Sequence, residues 1–428
     1  MKPWSGPQPM PDELVQIEGS QAVAETVARC RPEVVAAYPI SPQTHIVEGL
    51  SARVKAGTLH PCEFVNVESE FAAMSVSIGA SAAGARAYTA TASQGLLYMS
   101  EALYNASGLG LPIVMTVANR ALGAPINIWN DHSDSMSQRD SGWIQLYVES
   151  NQEAVDVHIQ AFRLAEALSV PVMVCMDGFI LTHAYERVTL PGQDRIDAFL
   201  PAFAPRQLLD PEHPVTIGAM VGPEAFTEVR YLAHYKQMQA LDLIPEIAAL
   251  FEEQFGRASG GLLHPYRSHD AETIIVALGS VLGTIEDVVD ELRDDGVSIG
   301  CVGIRSFRPW PAAEVRAALA GARRVVVLEK ALSTGIGGIV AQNVSAATEP
   351  GTRVHTAIAG LGGRAITKES LRRLLASARA DELGELTFVD LDRPLVEREL
   401  ERMLADRRSG PHAENMLRDL ALVASRAV

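Results

Sequence analysis

Short apolar runs alternate along the chain with longer segments whose apolar or small residues recur at helical spacing. In the first half the apolar runs occupy residues 33–38, 64–67, 86–90, 112–117 and 170–176. The segments of helical character are 19–30, 46–50, 72–84, 95–109 and 152–168. Such an alternation is typical of a parallel sheet covered by helices on both faces, with ligands bound at the carboxyl ends of its strands.

The same pattern returns in the second half after an interruption. Residues 190–214 are proline-rich and irregular, and 222–255 form an amphipathic helical segment. Further on, apolar runs at 273–278, 297–304 and 324–328 alternate with helical segments at 283–292 and 312–319. The pattern predicts an α/β fold of two doubly wound units, at 1–190 and 266–367, joined by a connector at 191–265. Residues 368–428 are predicted to form a helical C-terminal tail.

Composition narrows the class of protein. The chain has 428 residues, of which 47% are hydrophobic and 21% charged, as expected of packed globular domains. The chain has 36 Lys and Arg residues against 52 Asp and Glu residues, which gives a formal net charge of -16. This negative charge disfavours a nucleic-acid partner. No stretch reaches about 18 uninterrupted apolar residues, and the N-terminus lacks a signal-like apolar region. We therefore expect a cytoplasmic protein without a membrane span.

The four cysteines are isolated in sequence. Cys30, Cys62, Cys175 and Cys301 form no Cys-x-x-Cys pair, and no histidine ladder of metal-ligand spacing lies near them. The sequence therefore predicts no metal ligands and no iron–sulfur cluster in this chain.

Polar residues follow three of the predicted strands at their carboxyl ends. These residues are Ser41, Glu70 and Arg120, in the segments 38–42, 67–70 and 117–120. In a doubly wound sheet the three ends can meet in one crevice, around one ligand. A plainer interpretation is that Ser41 and Glu70 only cap the helices that follow them. The long polar segment 119–141 favours a functional loop.

Other familiar motifs are incomplete. The glycine-rich segments 335–338 and 360–363 lack the G-x-G-x-x-G spacing of a dinucleotide site, so tight turns are predicted there. Ser93 lacks the first glycine of a G-x-S-x-G elbow, which argues against a hydrolase.

The segments around these strand ends resemble the alpha subunit of pyruvate:ferredoxin oxidoreductase and related 2-oxoacid:acceptor oxidoreductases. The matching stretches include AAYPISPQT, VESEFAAMSVSIGASAAGARAYTATASQG, LPIVMTVANRALGAPINIWNDHSDSMSQRDSGWIQ, PVMVCMDGFILTH, ALGSVLGT, IRSFRPWP and GLGGRAIT. They run in family order from about residue 36 to residue 367. The resemblance implies two transketolase-like modules, with a pyrimidine-binding domain at 1–190 and a transketolase C-terminal-like domain at 266–367.

The resemblance also implies cofactors and partners. Thiamine diphosphate with Mg²⁺ would be shared with a beta subunit, which in the family holds the diphosphate through a GDG motif. The nearest segment here, 177–179, reads DGF and is not that motif. Coenzyme A would be a co-substrate, and iron–sulfur clusters would lie only on partner subunits. Those partners are a gamma subunit, a ferredoxin-like delta subunit and, where NAD is the acceptor, a NAD-reducing subunit.

Three residues acquire roles through the same resemblance. Glu70 matches the glutamate that hydrogen-bonds N1' of the aminopyrimidine, and Arg120 matches the arginine that faces the 2-oxoacid. Ser41 matches a threonine beside the substrate, so the hydroxyl is kept and a methyl is lost. Phe71 replaces a histidine common in pyruvate enzymes. This change favours a larger, aromatic oxoacid such as phenylglyoxylate, or it reflects core packing.

The implied activity is oxidative decarboxylation of a 2-oxoacid, pyruvate or an aromatic one, to acyl-CoA and CO₂, with electrons passing to ferredoxin or NAD. Two alternatives stay open. One is a non-redox thiamine diphosphate enzyme subunit, transketolase-like or a decarboxylase. The other is an inactive scaffold subunit, against which the presence of both Glu70 and Arg120 argues.

Overall fold

A computed structural model describes residues 12–422 of the chain. Strands and helices alternate through its first unit. These elements are β1 (Glu13–Glu18), α1 (Gly19–Arg29), β2 (Val34–Ala37), α2 (Thr44–Lys55), β3 (Glu63–Asn66), α3 (Glu70–Ala82), β4 (Ala87–Thr91), α4 (Ser93–Tyr98), α5 (Ser100–Leu109), β5 (Val114–Asn119), α6 (Ser133–Ser137), β6 (Ile144–Tyr147), α7 (Asn151–Leu168), β7 (Val172–Asp177) and β8 (Tyr185–Leu190).

The connector and the second unit continue the series. Their elements are α8 (Gln193–Phe199), α9 (Phe226–Phe255), β9 (Leu263–Tyr266), β10 (Thr273–Ala277), α10 (Val281–Asp294), β11 (Ile299–Ile304), β12 (Ser306–Arg308), α11 (Ala312–Ala318), β13 (Arg324–Glu329), α12 (Val340–Ala347), β14 (Arg353–Ile358), α13 (Lys368–Arg379), β15 (Leu386–Phe388), α14 (Arg393–Ala405) and α15 (His412–Asp419).

Two mainly parallel sheets organise the described residues, in agreement with the predicted doubly wound α/β class. The first sheet has the order β12-β6-β7-β5-β4-β2-β3, and β12 is its antiparallel member. The second has the order β15-β14-β13-β10-β11-β9, with β9 antiparallel. The central strands β5 and β7 are buried at every position because helices cover both faces. Parallel pairing therefore brings the carboxyl ends of β2, β3, β4, β5 and β7 to one edge.

Several elements differ from the sequence prediction. The helix predicted at 95–109 is two helices that meet at Met99, whose side chain is fully buried. Strands β1 and β8 pair with each other outside the main sheets and were not predicted, since their charged, half-exposed sequences lack an apolar run. Strand β15 lies within the segment expected to be helical and extends the second sheet beyond β14.

The two units share a hydrophobic core. Strand β12 follows β11 of the second sheet directly, yet it pairs with β6 of the first. One buried cluster contains Trp143 of the first unit together with Phe307 and Val325 of the second. Because apolar packing is continuous across the junction, the second unit is held firmly against the first.

The glycine-rich segments form turns, as predicted. Gly335 and Gly337 have φ values of +87° and +108°, which side chains with a Cβ disfavour. A Cβ on the neighbouring Gly338 would lie 2.2 Å from Glu329 Oε1. That carboxylate accepts three backbone N–H groups at the start of α12, at 2.7 to 2.9 Å. This glycine segment therefore surrounds a protein carboxylate at a helix N-terminus.

Among residues 12–422, no helix combines the length and the apolar character that crossing a membrane requires.

Candidate active site

Arg120 lies immediately after β5, at the carboxyl edge of the first sheet. The residue is 6% exposed. Its Nε donates to Asn127 O at 3.1 Å, and its Nη1 donates to Ser41 O at 3.0 Å. Nη2 makes no hydrogen bond within the described residues. Burial lowers the pKa of the guanidinium, which nevertheless stays charged because its ordinary value is so high. One side of the fork is therefore fixed and the other is free to bind an anion.

Ser41 reaches the same place from the end of β2. Its backbone carbonyl accepts the hydrogen bond from Arg120, while its hydroxyl is exposed and makes no hydrogen bond within the described residues. The side chain does not cap the following helix α2, whose N-cap residue is Gln43. The capping interpretation is therefore wrong for Ser41, and two of the three predicted strand ends do meet.

Glu70 begins α3 after β3, but it is not the cap of that helix either. The cap is Ser69, whose hydroxyl accepts the Ala72 N–H at 3.2 Å. Glu70 is 8% exposed, and its carboxylate makes no hydrogen bond or ion pair within residues 12–422. A Cβ on Gly95 would lie 2.6 Å from Glu70 Oε1, so a side chain at this position would displace the carboxylate. A nearly buried carboxylate without a partner is costly and is typical of a ligand-binding position.

A chain of short contacts joins Glu70 to Arg120. Gly95, against Glu70, belongs to the short helix α4 that follows β4, and Ser93 is the first residue of that helix. The Ser93 N–H donates to Asp134 Oδ2 at 2.9 Å, and the Arg120 N–H donates to the same oxygen at 3.0 Å. The ends of β4 and β5 are thereby tied to one buried carboxylate, and Glu70 lies against the helix that follows β4.

Asp134 was not predicted individually, although it lies in the polar segment 119–141. The side chain is fully buried and also accepts from Asn119 Nδ2 at 2.8 Å. Burial raises the pKa of Asp134 to about 6, against the lowering effect of the four donors around it. Its role is structural, because its hydrogen bonds fix the backbone of the segments that line the crevice.

The second unit is hydrogen-bonded to the loop that carries Arg120. Asn127 donates from Nδ2 to Gly362 O at 3.1 Å, and the Gly362 N–H donates to Asp131 Oδ2 at 3.1 Å. A Cβ on Gly363 would lie 2.4 Å from the Cβ of Trp129, so the turn has to be glycine to come this close. Arg120 Nε in turn donates to the backbone carbonyl of Asn127. The second unit therefore helps to position the guanidinium through its hydrogen bond to Asn127.

Asp177, in the DGF segment at the end of β7, is paired within the protein. Its carboxylate binds His132 Nε2 at 2.7 Å and Lys330 Nζ at 2.8 Å. Burial acts to raise the pKa of Asp177, but the charges of Lys330 and His132 outweigh it and hold the pKa well below its usual range. This carboxylate therefore ties the two units together.

An apolar rim borders Glu70 on the surface. Phe71 is 37% exposed, and its ring lies 6.3 Å from that of Tyr98, which is 61% exposed. The core-packing interpretation of Phe71 is therefore wrong. Leu97 and Tyr104 are exposed on the adjoining helices α4 and α5. Exposed aromatic residues this close together are typical of an interaction surface.

Fold and site together define a protein of two doubly wound α/β modules, with a nearly buried carboxylate and a buried guanidinium at the carboxyl edge of a parallel sheet. The family described as "Pyruvate flavodoxin/ferredoxin oxidoreductase, thiamine diP-bdg" matches residues 25–249, and "Pyruvate:ferredoxin oxidoreductase core domain II" matches residues 271–371. The chain belongs to the pyruvate:ferredoxin oxidoreductase family, as the sequence motifs indicated.

Curated relatives match over most of the chain. Pyruvate synthase subunit PorA of Methanosarcina barkeri is 49% identical, over 90% of this chain and 98% of its own length. Ketoisovalerate oxidoreductase subunit VorA of Pyrococcus abyssi is 38% identical, over 85% of this chain and 95% of its own length. Identity at this level over such lengths supports the family assignment across both units.

A solved structure shares the fold. It is a 2-oxoglutarate:ferredoxin oxidoreductase from Magnetococcus marinus with 2-oxoglutarate, coenzyme A and succinyl-CoA bound. The TM-score is 0.68 at 20% sequence identity, and the match covers 85% of this chain and 65% of the solved one. The chain thus spans somewhat less than two thirds of that structure's chain.

Proposed function

We propose that the chain is the alpha subunit of a 2-oxoacid:ferredoxin oxidoreductase that converts a 2-oxoacid and coenzyme A to acyl-CoA and CO₂. The observation that carries the proposal is the nearly buried carboxylate of Glu70, at the edge where Arg120 presents its Nη2 group, since both groups are unpaired among residues 12–422. Family membership and the names of the relatives support it.

The residues around Glu70 fit the aminopyrimidine of thiamine diphosphate. The carboxylate can accept a hydrogen bond from a protonated ring nitrogen, N1' by the family resemblance. Nearby, the Thr91 hydroxyl is buried and has no hydrogen-bond partner in the part of the chain that the structure describes, and its Oγ1 lies 2.6 Å from the point where a Gly95 Cβ would be. When bound, the cofactor supplies a carbon nucleophile and an electron sink for the decarboxylation. Glu70 holds the proton at N1' that this chemistry needs.

Arg120 and Ser41 act on the substrate in this proposal. The Nη2 group of Arg120 pairs with the 2-oxoacid carboxylate, while Nε and Nη1 stay fixed on backbone carbonyls. A guanidinium anchored in this way loses little further entropy when it binds the acid. The exposed hydroxyl of Ser41 lies beside it and can donate to a keto or carboxylate oxygen.

The diphosphate and Mg²⁺ are assigned to a beta subunit. Asp177, the carboxylate of the DGF segment, is already neutralised by Lys330 and His132, so it is a poor magnesium ligand. The exposed rim around Phe71 and Tyr98 fits a subunit that covers the crevice. We assign iron–sulfur clusters to a gamma subunit and a ferredoxin-like delta subunit, and NAD reduction, where it occurs, to a further subunit.

Pyruvate is the first candidate substrate because pyruvate synthase subunits are among the relatives of highest identity. An aromatic oxoacid such as phenylglyoxylate is the second candidate. It is favoured by the exposed Phe71 directly beside Glu70, where apolar surface is available to a larger substrate.

Glu70→Gln tests the function. In the complex assembled with its partner subunits, the variant should lower CoA-dependent reduction of ferredoxin by about 100-fold or more, the scale of a lost proton-transfer contribution. Bound thiamine diphosphate, measured after denaturation, should stay near the wild-type amount. Glu68→Gln is the matched control, because Glu68 is exposed two residues away and should leave turnover unchanged.

The assay is run with pyruvate, 2-oxoisovalerate and phenylglyoxylate. Ferredoxin reduction with none of these acids, combined with decarboxylation that needs no acceptor, would support the non-redox alternative. Full activity of the Glu70→Gln complex would remove Glu70 from the site and favour a scaffold role for this chain.

A further inference from the structure

We propose that Glu18, His45 and His183 form a binding site for one divalent transition-metal ion, with Zn²⁺ as the reference ion. The three residues come from separate elements: Glu18 ends β1, His45 lies in the first turn of α2, and His183 lies in the turn between β7 and β8. Two imidazoles and a carboxylate are a donor set that zinc accepts in proteins.

The geometry suits one ion. Glu18 Oε1 lies 2.6 Å from His45 Nδ1, and the ring centroids of His45 and His183 are 4.9 Å apart. One ligand atom from each residue lies within 4.8 Å of the other two. Ligand atoms on a tetrahedral zinc ion are about 3.3 Å apart. Side-chain rotations that move the ligand atoms by about 1 Å would therefore bring all three within binding distance of one ion. The His45 side chain is 43% exposed, which leaves room for water as a fourth ligand.

The environment of the cluster favours a cation. Within residues 12–422 Glu18 forms an ion pair with His45 alone, and no lysine or arginine neutralises it. The cluster therefore offers a cation one carboxylate and two imidazole nitrogens.

A second cluster of similar composition behaves differently. Glu149, His264 and Glu286 also lie close together. There Arg305 binds Glu149 at 3.2 Å and already supplies the positive charge. That cluster is an ion-pair network between the two units, and it serves as an internal comparison for the experiment.

A bound ion would also steady one wall of the crevice. The ring of His183 lies 4.7 Å from that of Phe179, which in turn lies 4.9 Å from that of Trp129 on the Arg120 loop. The Thr182 hydroxyl lies 2.8 Å from His183 Nδ1 and helps to orient the ring. Fixing His183 therefore restrains the row of tilted aromatic rings that borders the loop.

The test is a Zn²⁺ titration of the full chain in metal-free buffer, followed by calorimetry and repeated with Co²⁺ followed by visible absorption. The wild type should bind one ion per chain, and His45→Ala, His183→Ala and Glu18→Gln should each weaken binding by about tenfold or more. His213→Ala is the matched control, since His213 is an exposed histidine paired with Asp210 and without a second imidazole.

A thermal-unfolding series guards against misfolded variants. Zn²⁺ should raise the Tm of the wild type and of His213→Ala, but not that of His45→Ala, whose exposed side chain makes it the variant least damaging to the fold. The proposal is overturned if no stoichiometric binding occurs, or if His45→Ala and His183→Ala bind as the wild type does. It is equally overturned if His264→Ala abolishes binding, which would assign the ion to the other cluster.

Discussion

Replacing Arg120 by lysine tests how the crevice binds its acid. The substitution keeps the positive charge but replaces a planar fork with a single ammonium group. In the structure Nε and Nη1 of Arg120 each donate to a backbone carbonyl, which leaves Nη2 for the substrate. A lysine at this position cannot bond Asn127 O, Ser41 O and a carboxylate in the same geometry. It must give up the substrate contact or the anchoring contacts.

The magnitude follows from the hydrogen bond that is lost. A hydrogen bond to a charged group contributes about 1.5–3 kcal/mol net. Loss of one such bond in the transition state lowers kcat/KM by about 10- to 150-fold. Thiamine diphosphate affinity should be nearly unchanged, because none of these contacts belongs to the cofactor.

The assay compares kcat/KM for the 2-oxoacid in complexes that contain wild-type or Arg120→Lys chains. Arg139→Lys is the matched control: it is the same exchange in the same polar segment, but Arg139 is half-buried and bonds Met136 O away from the crevice. It should change kcat/KM by no more than about twofold. If Arg120→Lys weakens cofactor binding while kcat/KM of the reloaded enzyme is unchanged, the substrate assignment of Arg120 is wrong.

Three further outcomes are expected. Asn127→Ala, which removes the hydrogen bond to Gly362, should raise KM for the 2-oxoacid by about tenfold with stability nearly unchanged, and an unaltered KM would show that the second unit does not position Arg120. Burial lowers the pKa of His158 from 6.5 to about 4. As the pH falls between these two values, the unfolded chain binds a proton that the folded chain does not, and the free energy of unfolding therefore decreases. Between pH 7.5 and pH 5 that loss is about 2 kcal/mol, and urea unfolding should show it as a difference between the wild type and His158→Gln, since other buried groups cancel in the comparison. The chain without partner subunits should bind thiamine diphosphate too weakly to detect by calorimetry, and stoichiometric binding would mean that it holds the diphosphate itself.

The central strands, and the polar residues that follow them, could be predicted because the patterns that indicate both lie within a few residues along the chain. Strands β5 and β7 are apolar at nearly every position, and the polar residues that follow such strands stand at the sheet's carboxyl edge by topology alone. Strands β1 and β15 escaped prediction, since each is short and largely exposed and forms only by pairing with a distant strand. Their stability comes from the partner and not from their own sequence.

Motifs around Ser41, Glu70 and Arg120 were sufficient to indicate the family, and the roles of these three residues stay a prediction. Asp134 and Asn127 were not singled out within the polar loop, because their importance comes from particular hydrogen bonds. Asp134 collects donors from two strand ends, and Asn127 bonds a glycine of the second unit. Nothing in the local sequence distinguishes such residues from other polar loop residues.

The sequence by itself determined the class of fold and the chemical types at the crevice, because apolar periodicity and strand-end residues act over a few positions along the chain. Only the tertiary structure decided which of those groups are left unpaired. Within residues 12–422 it leaves Glu70 without a partner, pairs Asp177 with Lys330, and brings His45 and His183 together from separate elements. Whether a charged or imidazole side chain is neutralised inside the protein or remains available to a ligand depends on neighbours that are distant in sequence, and those neighbours are set by packing.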